Sequence, residues 1–226
     1  MGQPWEPQRR QAAGAQVALL LVLALAVALG GVGGAVVRSP VRCLVGLALA
    51  VALTHALLLL LLLCVASRRR HVSRRATLAA KVRVAMKSCA YLVLSCLFFH
   101  AVTILFGAPV IHLALETSVF SILLTTVTAL PCLCILGPNL SAWLRVFTSS
   151  GAASPWEQGL CVGTTCTLMG AWLGALPIPL DWDRPWQAWP ITCSMGAVCG
   201  YALGLLLSLL RLVRNGPAVG HKKKPL

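Results

Sequence analysis

Apolar residues fall into six long runs along the chain, and short polar or proline-containing breaks separate the runs. The runs cover approximately residues 16–37, 43–66, 88–106, 110–136, 159–178 and 189–212. A helix of about 20 apolar residues crosses a hydrocarbon core about 30 Å thick. The pattern therefore predicts an all-α integral membrane protein, with six transmembrane helices forming a single membrane domain over residues 1–226.

The breaks between the runs differ in character. Residues 67–87 hold eight lysines and arginines, which predicts a basic loop, and residues 213–226 form a basic tail. Gly137-Pro138-Asn139 is expected to end the fourth helix, and residues 140–147 are typical of a short interfacial segment. The first run follows Arg9 and Arg10, so a cleaved signal peptide is the alternative interpretation of that run.

The positions of the basic residues predict the orientation of the six helices. Of the 19 lysines and arginines, all but Arg38, Arg42 and Arg184 lie on the side of the two termini in a six-helix arrangement. Basic residues accumulate on the cytosolic side of membrane proteins. Both termini, the basic loop 67–87 and the tail 213–226 are therefore predicted to be cytosolic, and the loop 179–188 is predicted to be luminal.

Composition supports a membrane location and excludes a soluble globule. Hydrophobic residues make up 58% of the chain, charged residues 11%, and the mean hydropathy is +0.85. These values leave too few polar side chains to cover a soluble protein of this length. The net charge of +14 is attributed to membrane topology and anionic lipid, and nucleic-acid binding is not expected because no such motif is present.

Residues 170–190, GAWLGALPIPLDWDRPWQAWP, concentrate aromatic and rigid residues in one place. The stretch holds four of the seven tryptophans and four prolines. Tryptophan favours the membrane interface, and proline ends helices. A rigid loop anchored at the luminal interface is predicted. Its charged residues, Asp181, Asp183 and Arg184, fit either a turn or contact with a phosphoryl group.

Polar residues inside the third and fourth runs form a second candidate site. His100 and Glu116 are each eight residues from Ala108, which places both about 12 Å of helix rise from the turn. His112 precedes Glu116 by four residues, so a continuous helix would put them on one face. The hypothesis is that His100 pairs with Glu116 across the hairpin. Such a pair either satisfies polar groups between packed helices or has a catalytic or lipid-headgroup role.

Small residues recur at helical spacing in the last two runs, at Gly170 and Gly174 and at Gly196, Gly200 and Gly204. Such faces allow close approach of a second helix. Two interpretations stay open. The face binds a helix of a partner, with Trp182 and Trp186 of the adjacent loop in the same contact, or it packs the fifth and sixth runs against each other.

The chain carries no motif that indicates catalysis or metal binding. It lacks a glycine-rich phosphate loop, a GxSxG elbow and an HExxH pair. Its ten cysteines fall mostly inside the apolar runs and do not have zinc-site spacing. No catalytic residue, metal or cofactor is therefore expected.

The C-terminus reads Lys223-Lys224-Pro225-Leu226. Lysines at the third and fourth positions from a cytosolic end are typical of a signal for retrieval to the endoplasmic reticulum, an address rather than an anchor. The alternative is a basic tail that only follows the charge rule.

Three blocks of sequence resemble the phosphatidylinositol-glycan biosynthesis class F family. They are GAPVIHLALET (107–117), LPCLCILGPNLSAWLRVF (130–147) and GAWLGALPIPLDWDRPWQAWPI (170–191), and the similarity covers roughly residues 81–210. The resemblance implies a multi-pass protein of the endoplasmic reticulum that acts in assembly of glycosylphosphatidylinositol (GPI) anchors.

The same resemblance implies partners. The family is the shared, non-catalytic partner of the class O and class G ethanolamine-phosphate transferases. These enzymes move ethanolamine phosphate from phosphatidylethanolamine to mannoses of the GPI precursor. An alternative is a lipid-presenting subunit that delivers phosphatidylethanolamine or the GPI precursor from a cavity lined by His100, His112 and Glu116.

Overall fold

The computed structural model describes residues 6–31, 38–69, 78–109, 111–148, 154–180 and 184–214. The described residues form seven α-helices and one short 3-10 helix, with no strand among them. The elements are α1 Glu6–Gly31, α2 Pro40–Arg69, α3 Leu78–Leu105, α4 Ala114–Leu136, α5 Leu140–Thr148, α6 Pro155–Leu173, the 3-10 helix Pro185–Gln187 and α7 Ile191–Arg214. The predicted all-α class is confirmed.

Four helices are long and apolar enough to cross a membrane, in the segments Pro40–Leu57, Val82–Leu105, Ala114–Leu136 and Ile191–Arg214 of the described chain. The chain is therefore a multi-pass membrane protein. The first and fifth predicted spans correspond to α1 and α6. Six spans and two cytosolic termini stay predictions.

Several helix ends lie away from the ends of the apolar runs. α4 begins at Ala114 rather than near 110, after turns at residues 111–113. α6 ends at Leu173 rather than at 178, and turns follow up to Leu180. Pro177 and Pro179 lack the backbone N–H groups that a continuing helix needs.

The basic segment 67–87 is only partly a loop. α2 continues to Arg69 and α3 already begins at Leu78, while residues 70–77 lie outside the described residues. Arg83 and Lys87 are exposed on the first turns of α3. Long basic side chains at this end of an apolar helix reach toward lipid headgroups.

α4 is the central helix of the bundle. It packs against α2, α3, α6 and α7, and 67% of its membrane span is buried. The hydroxyls of Ser121, Thr125 and Thr128 donate to backbone carbonyls four residues earlier, at 2.6–2.8 Å. Hydroxyls bonded in this way leave no unsatisfied donor inside an apolar environment. The helix therefore tolerates several polar residues at the core.

α5 confirms the helix break and the short segment expected at residues 137–147. Gly137 ends α4 with a φ of 71°, a left-handed conformation that favours glycine. The indole Nε1 of Trp143 donates to the Gly137 carbonyl oxygen at 3.0 Å. The Trp143 ring also meets Tyr91 of α3 edge-on, with ring centroids 5.5 Å apart. These contacts hold α5 against the middle of α3 and the C-terminal end of α4.

Candidate interaction surface

Gln187 organises the tryptophan-proline loop from inside. Its side chain is buried, and Nε2 donates to the carbonyl oxygens of Pro177 at 2.7 Å and Leu180 at 2.9 Å. Oε1 accepts from the backbone N–H of Arg184 at 2.9 Å. One amide therefore closes the loop between the end of α6 and the start of α7. A single glutamine among tryptophans gives no signal in sequence beyond its polarity.

Trp189 fastens the same loop to α4. Its indole Nε1 donates to the hydroxyl oxygen of the fully buried Thr117 at 3.0 Å. Its ring meets Phe120 edge-on, with centroids 5.4 Å apart and planes 77° apart. Aromatic pairs of this geometry stabilise a contact beyond the area they bury. Trp189 therefore anchors the loop to the protein itself, through α4.

The other predicted loop residues divide into two groups. Arg184 and Trp186 are exposed at the surface of the loop. Asp181, Trp182 and Asp183 lie outside the described residues, and so do Lys223 and Lys224 of the tail. Roles for these residues stay predictions.

The glycine face packs α6 against α7. A Cβ built on Gly170 would lie 2.2 Å from the Gly196 carbonyl oxygen, and one on Gly174 would lie 2.4 Å from the Thr192 carbonyl oxygen. A Cβ built on Gly200 would lie 2.1 Å from the Cys166 carbonyl oxygen. The backbones touch, so this face has no room for a helix of another protein. Of the two interpretations, the expectation of a partner groove is wrong and internal packing is correct.

Gly204 belongs to the same seam. Its built Cβ would lie 2.7 Å from the Cα of Gly163. Helix spacing alone identifies such a face but not what covers it, which is why sequence left both interpretations open.

The polar cluster of His100, His112 and Glu116 is less compact than expected. His112 is exposed in the turn before α4, so it does not share a helix face with Glu116. Glu116 lies in the first turn of α4, where the helix dipole favours a carboxylate. In the described part of the chain, no hydrogen bond or ion pair joins Glu116 to His100. The expected His100–Glu116 pair is therefore not formed.

α3 is the helix that the rest of the chain covers least. Only 6% of its span Val82–Leu105 is buried, and its main neighbour is α4. Beside it, a groove of about 530 Å³ lies between α3, α4, α5 and α6. Leu94 and Phe98 of α3 line the groove and are 64% and 62% exposed. We call this groove the α3 groove.

The lining of the α3 groove is largely aromatic and aliphatic. Its aromatic members are Tyr91, Phe98, Phe99, Trp143 and Phe147. Rings of this kind provide large contact areas and lose little side-chain entropy on binding. The arrangement suits an apolar ligand or helix, and it contains no constellation for acid-base or nucleophilic chemistry in the described residues.

Comparison with known proteins covers most of the chain. The family model described as "GPI biosynthesis protein family Pig-F" matches residues 18–209. A human protein named "GPI ethanolamine phosphate transferase, stabilizing subunit" is 52% identical over 150 residues, which are 66% of this chain and 68% of that protein. The mouse protein of the same name is 50% identical over 150 residues, with the same coverage.

A more distant relative comes from the yeast Yarrowia lipolytica. It is named "Glycosylphosphatidylinositol anchor biosynthesis protein 11" and is 38% identical over 125 residues, 55% of this chain and 54% of that protein. No solved structure matches the chain.

These relatives confirm the family and the kind of role expected from the three sequence blocks. Their names describe GPI-anchor biosynthesis and, for the mammalian proteins, a stabilising subunit rather than a catalyst. The expected accessory role in GPI-anchor biosynthesis agrees with these names. This chain belongs to the Pig-F family of GPI biosynthesis proteins.

Proposed function

We propose that this chain stabilises the catalytic subunits of GPI ethanolamine phosphate transferases in the endoplasmic reticulum membrane, and that the α3 groove is the surface that binds them. The observation that carries this proposal is the exposure of α3. A helix of 28 residues packs mainly against one neighbour, whereas α4 is buried on several sides. The uncovered side of α3 is the natural place for a further helix.

The occupant that we propose is one transmembrane helix of the catalytic subunit. Helices associate in lipid mainly through close van der Waals packing rather than through a hydrophobic driving force. A preformed groove with aromatic walls provides more contact atoms than a convex helix surface does. Leu94 and Phe98 would lie against the incoming helix, together with Tyr91 and Trp143.

Stabilisation follows from such binding without any chemistry in this chain. A subunit that binds only the folded catalytic partner shifts the folding equilibrium of that partner by mass action, about 2.7 kcal/mol at a concentration of 100 times Kd. Membrane-embedded helices of the partner would otherwise remain exposed to misassembly. The accessory role thus requires a complementary surface but no catalytic residue.

We infer that the class O and class G transferases both use the α3 groove, so that each complex contains one or the other. The described chain offers one aromatic groove beside α3. The tryptophan-proline loop, with Asp181, Trp182, Asp183, Arg184 and Trp186, would face the luminal domains of these partners. Lys223 and Lys224 would return the complex to the endoplasmic reticulum.

A variant of the α3 groove provides the test. Replacing Leu94 and Phe98 together by alanine removes two exposed side chains, so the chain itself should insert and fold normally. We expect recovery of the tagged transferases with this chain to fall about tenfold, which corresponds to a loss of about 1.4 kcal/mol of binding free energy. The measurement is affinity purification in mild detergent with quantitative mass spectrometry.

The matched control replaces Leu49 and Leu53 of α2, which are 58% and 70% exposed and lie away from the groove. Its recovery of transferases should equal that of the wild type. Equal recovery by both double variants would exclude the α3 groove as the binding surface. If the groove variant keeps the transferases but loses phosphatidylethanolamine or GPI precursor from the purified complex, a lipid-presenting role of the α3 groove replaces the proposal.

A further inference from the structure

A second cavity lies between the helices, and Thr164 of α6 lines both this cavity and the α3 groove. Its volume is about 80 Å³, and α1, α2, α4, α6 and α7 all contribute to its walls. Most of the lining is apolar, but Gln16, His55, Thr164 and Tyr201 present polar groups. Three of these side chains, Gln16, His55 and Tyr201, are more than nine-tenths buried. Polar groups at this depth require hydrogen-bond partners.

One end of the Gln16 amide group has no hydrogen-bond partner among the described residues. Its Nε2 donates to the hydroxyl oxygen of Ser208 on α7 at 2.7 Å. Gly159 lies next to this hydrogen bond, and a Cβ built on it would lie 2.9 Å from Nε2. Gln16 Oε1 is buried and has no hydrogen-bond partner among the described residues. Exchanging Oε1 and Nε2 by rotating the amide leaves Nε2 unmatched instead. In either orientation one end of the amide needs a partner.

His55 and Tyr201 line the same cavity and have spare hydrogen-bonding capacity. His55 Nδ1 lies 2.8 Å from the Val51 carbonyl oxygen, which only accepts, so Nδ1 carries the proton. The neutral ring then accepts at Nε2, and the Tyr201 hydroxyl lies 3.4 Å from that atom. This distance is long for an O–H···N hydrogen bond. The hydroxyl oxygen keeps lone pairs available to the cavity.

Pro131 adds a backbone acceptor to the same space. A proline has no N–H to donate, so the carbonyl of the residue four positions earlier loses its usual partner in the helix. That residue is Val127, and both Val127 and Pro131 line the cavity. The Val127 carbonyl is therefore a second polar group that needs a hydrogen-bond donor in this cavity.

We propose that this cavity binds a cluster of two or three ordered water molecules that bridge the Gln16 amide, the Val127 carbonyl and the Tyr201 hydroxyl. The volume matches that number at about 30 Å³ per water. No lining residue is an acid, a lysine or an arginine, so a charged ligand would be desolvated without compensation. Water can donate to two acceptors and still accept from a donor, which suits either orientation of the Gln16 amide.

The cluster would join α1 to the rest of the bundle. The Ser208 hydrogen bond alone connects Gln16 to α7, whereas the water would extend that connection to α4. It would also explain why a glutamine occupies a buried position among apolar helices. Bound water of this kind is part of the folded structure and costly to remove.

The experiment is synchrotron hydroxyl-radical footprinting of the full chain in lipid nanodiscs, with oxidation measured by mass spectrometry. Radicals formed from bound water modify adjacent side chains even where bulk solvent has no access. After normalisation to the intrinsic radical reactivity of each side chain, we expect Tyr201, 3% exposed, to be oxidised well above Phe120, which is also 3% exposed but does not line the cavity. The variant Ala15→Leu fills the cavity and should reduce the normalised oxidation of Tyr201 to the level of Phe120.

Oxidation of Tyr201 no greater than that of Phe120 in the wild type would overturn the proposal, and this comparison needs no variant to fold. Unchanged oxidation of Tyr201 in a folded Ala15→Leu variant would also contradict it, because the radicals would then come from elsewhere. Cys134→Leu enlarges a lining side chain of the same cavity from α4 and serves as the second variant if Ala15→Leu does not fold.

Discussion

Replacing Gly200 by alanine is expected to be among the most destabilising single changes in this chain. The new Cβ would lie 2.1 Å from the Cys166 carbonyl oxygen and 3.2 Å from the Gly170 Cα. These neighbours are backbone atoms, so no side chain can rotate away and α6 has to separate from α7. Overpacking that moves the backbone costs about 1–3 kcal/mol or more.

The loss should appear as a lower melting temperature of the purified chain and a lower steady-state level in cells. Gly46→Ala on α2 is the matched control, because Gly46 is exposed and a Cβ there meets no atom within 4 Å. That variant should be as stable as the wild type, or more stable by up to about 1 kcal/mol, the gain of alanine over glycine in a helix. Equal melting temperatures for Gly200→Ala and Gly46→Ala would contradict the seam between α6 and α7.

Replacing Gln187 by leucine is the second change with a large expected effect. It removes the hydrogen bonds to the carbonyls of Pro177 and Leu180 and from the N–H of Arg184. Leaving a buried polar group without its partner costs about 1–3 kcal/mol. The three groups lie at one loop, where water can reach some of them, so we expect a total loss of about 3 kcal/mol.

Hydrogen exchange at the Arg184 amide reports this loss directly, because Gln187 accepts that hydrogen bond. Exchange should become faster in Gln187→Leu, and the melting temperature should fall. Gln158→Leu is the matched control, since Gln158 is exposed on α6, and surface changes of this kind usually alter stability by less than about 0.5 kcal/mol. Slow exchange at Arg184 in Gln187→Leu would show that the loop is held by other contacts.

The apolar runs were sufficient to predict the helices but not where the helices end. The ends of a helix depend on the residues next to them, as both ends of α6 show. The Ser154 hydroxyl oxygen accepts from the Glu157 N–H at 3.2 Å, and Pro155 follows at the first helical position, so α6 begins four residues before the expected 159. The proline-rich sequence then ends it early. A hydropathy pattern does not contain this information.

The site was harder to predict for a different reason. Spacing correctly grouped Gly196, Gly200 and Gly204 on one face, but a face can be covered by its own chain or by another protein. The exposure of α3 depends on which helices pack elsewhere, and no local pattern in α3 encodes it. Gln16, His55 and Gln187 were each isolated polar residues, and their importance appears only when the helices bring their partners together.

The most direct test of the stabilising role is to remove this chain from cells and measure the catalytic subunits of the GPI ethanolamine phosphate transferases. We predict that their amounts and their ethanolamine-phosphate transfer activity fall together. Wild-type chain should restore both, the Leu94→Ala/Phe98→Ala variant should restore neither fully, and the purified chain alone should transfer nothing. Catalytic subunits that keep their normal amount and activity without this chain, or transfer by the chain alone, would contradict the stabilising role.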